Sequence, residues 1–308
     1  MAAHNRKQQL CVQRRFCSVA FFSILLVIVL TLITTNRPVK GFFYQPLNRD
    51  TGINEQQWQS LLHQAVTNED FSEVVVQWNQ YGEEKFGGTT GWLAERLSTL
   101  DKAGLKIWLG LYSDPLYFER VHSDEATQQQ YLTHYFELLL ENYNNWRNWL
   151  IEHKQSVKGV YVPAELSDYD FDTQQKREAL KQHLRGVKEV IKEPVMISVY
   201  LSGNSSPESI RYWLKDISDL DIKVMVQDGR GTQLLSDATW QKYQAELPCS
   251  VAVIKEVFTM DKQTPPAFER MPSKDVASLF NQDHGCHDWY AFSLRYLSLP
   301  DNSLKLHD

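Results

Sequence analysis

The chain has 308 residues, 43% of them hydrophobic and 12% aromatic, which suits one large domain or two small ones and excludes a disordered protein. Its formal net charge of −6 offers no attraction to phosphate backbones, which argues against nucleic acid as a partner and favours neutral ligands.

In chain order, the first feature is "SVAFFSILLVIVLTLITT", Ser18 to Thr35, an 18-residue run without a charge and just long enough to span a bilayer core. Arg6, Lys7, Arg14 and Arg15 precede it, a flank that keeps the N-terminus cytoplasmic and sends the rest across. The expectation is a cytoplasmic basic segment (1–17), a single-pass transmembrane signal anchor in the inner membrane (18–35), a linker (36–40) and a periplasmic domain. Signal cleavage, giving a secreted or periplasmic protein, is the competing reading, although no small-residue A-x-A pair follows the run. Arg14 and Arg15 match a twin-arginine signal only as any basic flank does.

From Gly41 onward short apolar runs alternate with longer helix-periodic ones. The strand-like runs are 41–47, 72–78, 105–112, 157–165, 194–200, 221–227, 249–258 and 288–296. Between them lie segments such as "INEQQWQSLLHQAV", "GWLAERLSTLDKAG" and "TQQKREALKQHLRGVKEVI". Asp172 or Thr173 caps the last of these, Pro207 starts the next helix, and Gly104 ends the second. Eight strand–helix units predict a single α/β domain, a (β/α)8 TIM barrel over 41–300 with a C-terminal tail at 301–308; an open doubly wound sheet is the structural alternative.

Of the four cysteines, Cys11 and Cys17 precede or edge the apolar run. Cys249 and Cys286 stand just ahead of the seventh and eighth strands, so they are candidates for a disulfide; two unpaired buried thiols are the alternative.

In a barrel of this kind function belongs to the carboxyl ends of the strands. Glu165 ends the fourth run and Glu256 lies near the end of the seventh. Two such carboxyls can perform glycoside hydrolysis, one donating a proton to the leaving oxygen and the other acting as nucleophile or base. By strand position Glu165 is the acid/base and Glu256 the nucleophile. With 38 acidic residues in 308, chance also supplies strand-end acids, so position alone does not decide.

Gln45, Gln77, Asn79, Gln227 and Asp228 cluster at the same strand ends and can bind a hydroxyl-rich ligand. Trp78, Tyr81, Tyr112, Tyr117 and Tyr200 offer flat faces for sugar rings, although rim packing is the plainer role for an aromatic. Asp228 before Gly229 also fits a simple turn.

The motifs "GFFYQP", "VVVQW", "VYVPAE", "VMVQDGRG", "KEVF" and "FSLRYLS", in this order along 41–300, resemble the bacterial domain-of-unknown-function family 4434, a glycoside-hydrolase-like TIM barrel. The resemblance implies that Glu165, Gln227, Asp228 and Glu256 line one pocket, and it supplies no substrate. The chain is also similar to the large retaining glycosidase clan in carrying acids on strands four and seven. It departs from that clan at Ala164, where an asparagine would contact a sugar 2-hydroxyl.

Two other constellations point away from chemistry. "DHGCHDW" gathers His284, Cys286, His287 and Asp288, but before strand eight, at the face opposite the mouth, so no metal is expected. "FGGTTGW" lacks the lysine of a Walker loop and reads as a loop in which Thr89 or Thr90 caps the next helix; no cofactor is expected. Lys255, the one lysine suited to lyase or aldolase chemistry, falls on the strand face opposite Glu256.

The expected function is hydrolysis or remodelling of a bacterial envelope or extracellular polysaccharide by Glu165 and Glu256. A catalytically silent barrel that binds glycan or scaffolds polysaccharide synthesis or export proteins is the alternative. The expected partners are therefore a polysaccharide or oligosaccharide, those export proteins, and the inner membrane through residues 18–35.

Overall fold

The barrel strands are apolar on both faces, and the period of two sorts their side chains into two cores. The structure, a computed structural model, describes residues 38–261, 267–282, 285–300 and 302–306. The strands are β1 (Lys40–Tyr44), β2 (Glu73–Val76), β3 (Lys106–Gly110), β4 (Val157–Ser167), β5 (Val195–Tyr200), β6 (Ile222–Gln227), β7 (Ala252–Glu256) and β8 (Trp289–Phe292). Every neighbouring pair is parallel, and the order β1-β8-β7-β6-β5-β4-β3-β2 closes on itself. This is a (β/α)8 barrel.

Phe43, Val75, Trp108, Tyr161, Met196, Met225, Ile254 and Tyr290 fill the inside. Their neighbours in sequence, such as Phe42, Val74, Val76, Val224 and Val253, pack outward in the larger core with the helices. The helices of eight or more residues are α1 (Glu55–Glu69), α2 (Trp92–Lys102), α3 (Glu125–Glu152), α4 (Gln174–Val190), α5 (Pro207–Ser218), α6 (Asp237–Glu246) and α7 (Ser273–Phe280), and a five-residue helix, Tyr117–Val121, precedes α3. Short polar side chains start most of them by accepting a free first-turn N–H: Asn54, Asp124, Thr173, Ser206 and Ser236. Pro207 is the first residue of α5. At α2 the cap is Gly91, with no side-chain hydrogen bond, while Thr89 and Thr90 belong to the preceding 3-10 turn.

The inside is polar at both ends. At the amino end, buried Glu73 accepts hydrogen bonds from Trp108 Nε1 (2.8 Å) and Tyr290 OH (2.7 Å) and pairs with Lys158. Lys223 bridges to Asp288 at 2.8 Å beside it. These contacts fill the floor of the barrel.

Among the described residues no eighth helix follows β8. A 3-10 turn (Leu294–Tyr296) stands there instead, and Arg295, 2% exposed, reaches back to Asp50 (2.8 and 3.0 Å) and to the Gln45 carbonyl (3.1 Å). Residues of the expected tail pack here too: Leu304 is buried, and its carbonyl accepts from Arg270 at 2.7 Å.

Several boundaries differ from the sequence reading. β1 stops at Tyr44, leaving Gln45 just beyond it. β4 runs two residues past Glu165, to Ser167. The long apolar run at 249–258 divides into β7 and a separate hairpin strand, Phe258–Asp261, paired with Ala267–Arg270. The expected anchor at 18–35 and the basic segment before it lie outside the described residues, and of the expected linker 36–40, Lys40 already belongs to β1; among those described, no helix is long and apolar enough to cross a membrane.

Candidate active site at the carboxyl end of the barrel

Alternation carries several inward-facing rows up to a polar residue at the mouth. The row of Glu73 and Val75 leads to Gln77, that of Met225 to Gln227, and that of Ala252 and Ile254 to Glu256. In β4 the register with β5 shifts, Val162 pairing with Ile197 and Glu165 with Ser198. The two extra residues, Pro163 and Ala164, preserve the parity and bring Glu165 onto the same side as Tyr161. Gly110 allows β3 to approach closely here, since a Cβ on it would lie 2.2 Å from the Gln77 carbonyl oxygen.

Glu165 is the centre of this group. Gln77 Nε2 donates to its Oε1 at 3.2 Å and Gln227 Nε2 to its Oε2 at 3.0 Å, so amides from β2 and β6 hold the carboxyl between them. Burial raises the Glu165 pKa, and the two amides offset part of that rise by favouring the charged form. The side chain remains partly exposed, within reach of a ligand. Beneath it, the Tyr161 hydroxyl shares a 2.7 Å hydrogen bond with Ser198.

Glu256 lies deeper, 2% exposed. Its Oε2 accepts from the Thr232 backbone N–H (2.9 Å) and hydroxyl (3.2 Å), so the loop after β6 folds over it. Burial first, and the Asp228 charge second, push its pKa up to about 7. A carboxyl that is half-protonated near neutral pH can give or take a proton.

Among the described residues, the Gln77 Oε1, both amide atoms of fully buried Asn79, and the hydroxyl of buried Tyr117 have no hydrogen-bond partner. Tyr200 is partly exposed and donates to Asp170 at 3.4 Å; its pKa rises to about 12, mainly through burial. Its ring meets Phe118 edge-on at 6.1 Å, and Phe118 is 53% exposed. Nearby, Tyr169, 49% exposed, stacks on His122 at 4.7 Å. Gln45 accepts from Ser293 at 3.1 Å.

Other predicted residues sit elsewhere. Trp78 follows inward Gln77 and so turns outward, buried against Tyr81 with its Nε1 donating to the Pro46 carbonyl at 3.0 Å; it offers no open face. Tyr112 is buried against Tyr135. Asp228, expected in the pocket of Glu165, follows inward Gln227 and lies behind the barrel wall, its Oδ1 accepting from the N–H groups of Glu256 and Arg230, each at 3.2 Å. Cys249 and Cys286 form a disulfide. His287 Nδ1 bonds the Val251 carbonyl at 2.8 Å, while Asp283 and His284 lie outside the described residues. Among the described residues no group of three His, Cys, Asp or Glu side chains could hold a metal ion.

The sequence profile described as a domain of unknown function, DUF4434, matches residues 39–280. The chain belongs to the DUF4434 family. The uncharacterized protein YbcH of Escherichia coli (strain K12) is 29% identical over 296 residues, which cover 92% of this chain and 99% of YbcH. Among solved structures, a candidate alpha-L-fucosidase from Bacteroides thetaiotaomicron matches with a TM-score of 0.54 at 15% identity, covering 87% of this chain and 88% of that one. The spore cortex-lytic enzyme SleL of Bacillus cereus matches with a TM-score of 0.46 at 10% identity, covering 86% of this chain and 72% of that one. At identities this low the first of these matches speaks for the (β/α)8 barrel fold alone.

Sequence reasoning missed Thr232, Phe118 and Tyr169 in this DUF4434 chain. Thr232 follows "QDGRG" and could have been found as the first hydroxyl of the loop over Glu256. Phe118 and Tyr169 lie beyond their strands, and nothing in their spacing signals exposure.

Proposed function

We propose that this DUF4434 barrel is a glycoside hydrolase acting on a bacterial envelope or extracellular polysaccharide, with Glu165 and Glu256 as its acidic pair. The observation that carries the reading is Glu165 itself: a partly exposed carboxyl at the open end of the barrel, gripped on both oxygens by Gln77 and Gln227.

The two environments favour a division of labour opposite to the one suggested by strand position. Two amides favour the charged form of Glu165, which suits a nucleophile or base, whereas Glu256, with its pKa near 7, keeps a proton for the leaving oxygen. Gln45 and Gln227, both partly exposed, can bond sugar hydroxyls. The exposed rings of Phe118 and Tyr169 and the partly exposed ring of Tyr200 offer a surface on which further sugar units of a polymer can stack.

The proposal extends to location. The apolar run 18–35, behind a basic segment at 1–17 and ahead of a linker at 36–40, would anchor the chain in the inner membrane with the barrel in the periplasm, near polysaccharide synthesis or export proteins. The Cys249–Cys286 disulfide supports an oxidising compartment. A second reading, glycan binding without hydrolysis, is favoured by Ala164, which supplies no amide beside Glu165.

Incubation of the full-length protein with bacterial exopolysaccharides, followed by mass spectrometry of new oligosaccharide ends, tests the reading. Hydrolysis gives products whose rate of formation falls as pH rises through about 7, where Glu256 loses its proton. Binding of the same glycans with no products would establish the second reading instead.

A further inference from the structure

An acid at 2% exposure cannot reach a glycosidic oxygen until something moves, and the loop between β6 and α6 is what bonds over Glu256. That loop is fixed at both ends. Asp228 Oδ1 accepts the N–H groups of Glu256 and Arg230, each at 3.2 Å, and Ser236 caps α6 by accepting the Thr239 N–H at 3.2 Å. Between these anchors the backbone turns through Gly229 at φ +64° and Gln233 at φ +54°. Two attachments tie the centre to the barrel: Thr232 donates its N–H and its hydroxyl to Glu256 Oε2, and the Gly231 carbonyl accepts the Met260 N–H at 3.0 Å. Leu234, beyond them, is 53% exposed.

The attachment to Glu256 depends on its charge. The Thr232 N–H and hydroxyl and the Gly231 N–H all favour the ionised carboxyl, so by the same coupling a proton on Glu256 weakens their hold. Asp228 is the titratable group whose charge acts on Glu256; Lys255 turns to the other face of β7, and Arg230 pairs with Asp237 at 3.5 Å. On β8 the register places uncharged Phe292 beside Glu256, and the hairpin after β7 brings uncharged Phe258 against Gly231. We propose that Gly231–Leu235 is a gate, closed here over Glu256, which swings away with Thr232 when the carboxyl takes up its proton and so presents the acid to the mouth. The inference rests on the reading of Glu256 as one of the acidic pair.

The test needs no glycan, so its failure is distinct from failure of the hydrolase reading. Full-length protein is treated with a water-soluble carbodiimide and glycinamide, and labelling of carboxyls is mapped by peptide mass spectrometry. Glu73, 3% exposed, is buried as deeply as Glu256 but is held by barrel side chains instead of a loop, and so reports reaction without a gate. Amide hydrogen exchange of residues 229–236 is followed at about pH 5.5 and about pH 8.5, on either side of the Glu256 pKa of about 7, and corrected for intrinsic rates. The expected result is labelling of Glu256 well above that of Glu73, rising about tenfold in Thr232→Val, which loses one donor to the carboxyl. The loop exchanges faster than β6 and β7, gains protection at the higher pH, and loses that pH dependence in Glu256→Gln. Glu256 as unreactive as Glu73 in both parent and Thr232→Val, loop exchange as slow as that of the flanking strands, or a pH dependence undiminished in Glu256→Gln would overturn the proposal.

Discussion

Gln227 donates its side-chain amide to Glu165 at 3.0 Å, joining β6 to β4 across the barrel mouth, and Gln77 completes the grip from β2 at 3.2 Å. A carboxylate held in this way has fixed orientation and a partly preserved negative charge, both of which a nucleophile or base needs. Replacing Gln227 by Leu removes one of the two donors. Losing a hydrogen bond to a charged group costs about 1.5–3 kcal/mol, so turnover is expected to fall roughly tenfold to a hundredfold. The Glu165 pKa moves further up, because burial remains and one opposing contact is gone; carboxyl-selective NMR titration reads that direction.

Glu256 makes stability depend on pH. Its pKa rises from an ordinary 4.5 to about 7 on folding. Between these values the folded chain keeps a proton that the unfolded chain has released, so this contribution is complete below the lower value and is lost as pH rises through about 7. Asp228, raised mainly by burial from 3.8 to about 6, acts in the same sense. Urea unfolding at about pH 5 and about pH 7.5 is expected to show a smaller loss of stability in Glu256→Gln than in the parent, because the amide has no proton to lose.

Arg295 and Asp50 are 2% exposed each and meet at 2.8 and 3.0 Å, in the stretch where an eighth helix would otherwise cover the barrel. Breaking a buried pair from one side leaves a charge without compensation. Asp50→Ala is expected to destabilise the barrel by about 3–5 kcal/mol, measured by denaturant unfolding. Because Arg295 also holds the Gln45 carbonyl, glycan affinity is expected to fall in folded Arg295→Leu.

The Cys249–Cys286 disulfide closes a sequence separation of 37 residues and ties the entry to β7 to the entry to β8. Loop-closure entropy assigns such a crosslink about 4 kcal/mol as an upper figure. Unfolding in the presence of a thiol reductant is expected to occur at lower urea than in its absence, and Cys249→Ser/Cys286→Ser is expected to be insensitive to reductant.

The barrel was legible because all eight strands are apolar on both faces and are separated by segments with helical period. The strand ends were less so. Apolar residues continue past β7 into Val257 and Phe258, and only the hairpin with Ala267–Arg270 separates them from the barrel. Alternation brings Gln77, Gln227 and Glu256 to the mouth, but the same alternation turns their neighbours Trp78 and Asp228 behind the wall, a consequence the sequence already contained. The grip on Glu165 was not legible. It depends on the register shift after Val162, where two extra residues carry β4 further along β5 without changing its parity, and on contacts between residues 62 and 88 positions apart.

The most direct measurement compares the full-length parent with Glu165→Gln on one exopolysaccharide, reading binding by calorimetry and cleavage by mass spectrometry. The substitution preserves shape and removes the charge. The account predicts binding within a few fold of the parent and loss of new oligosaccharide ends by about a thousandfold, as expected when a group acting in the transition state is removed. Cleavage by Glu165→Gln at the parent's rate would contradict it.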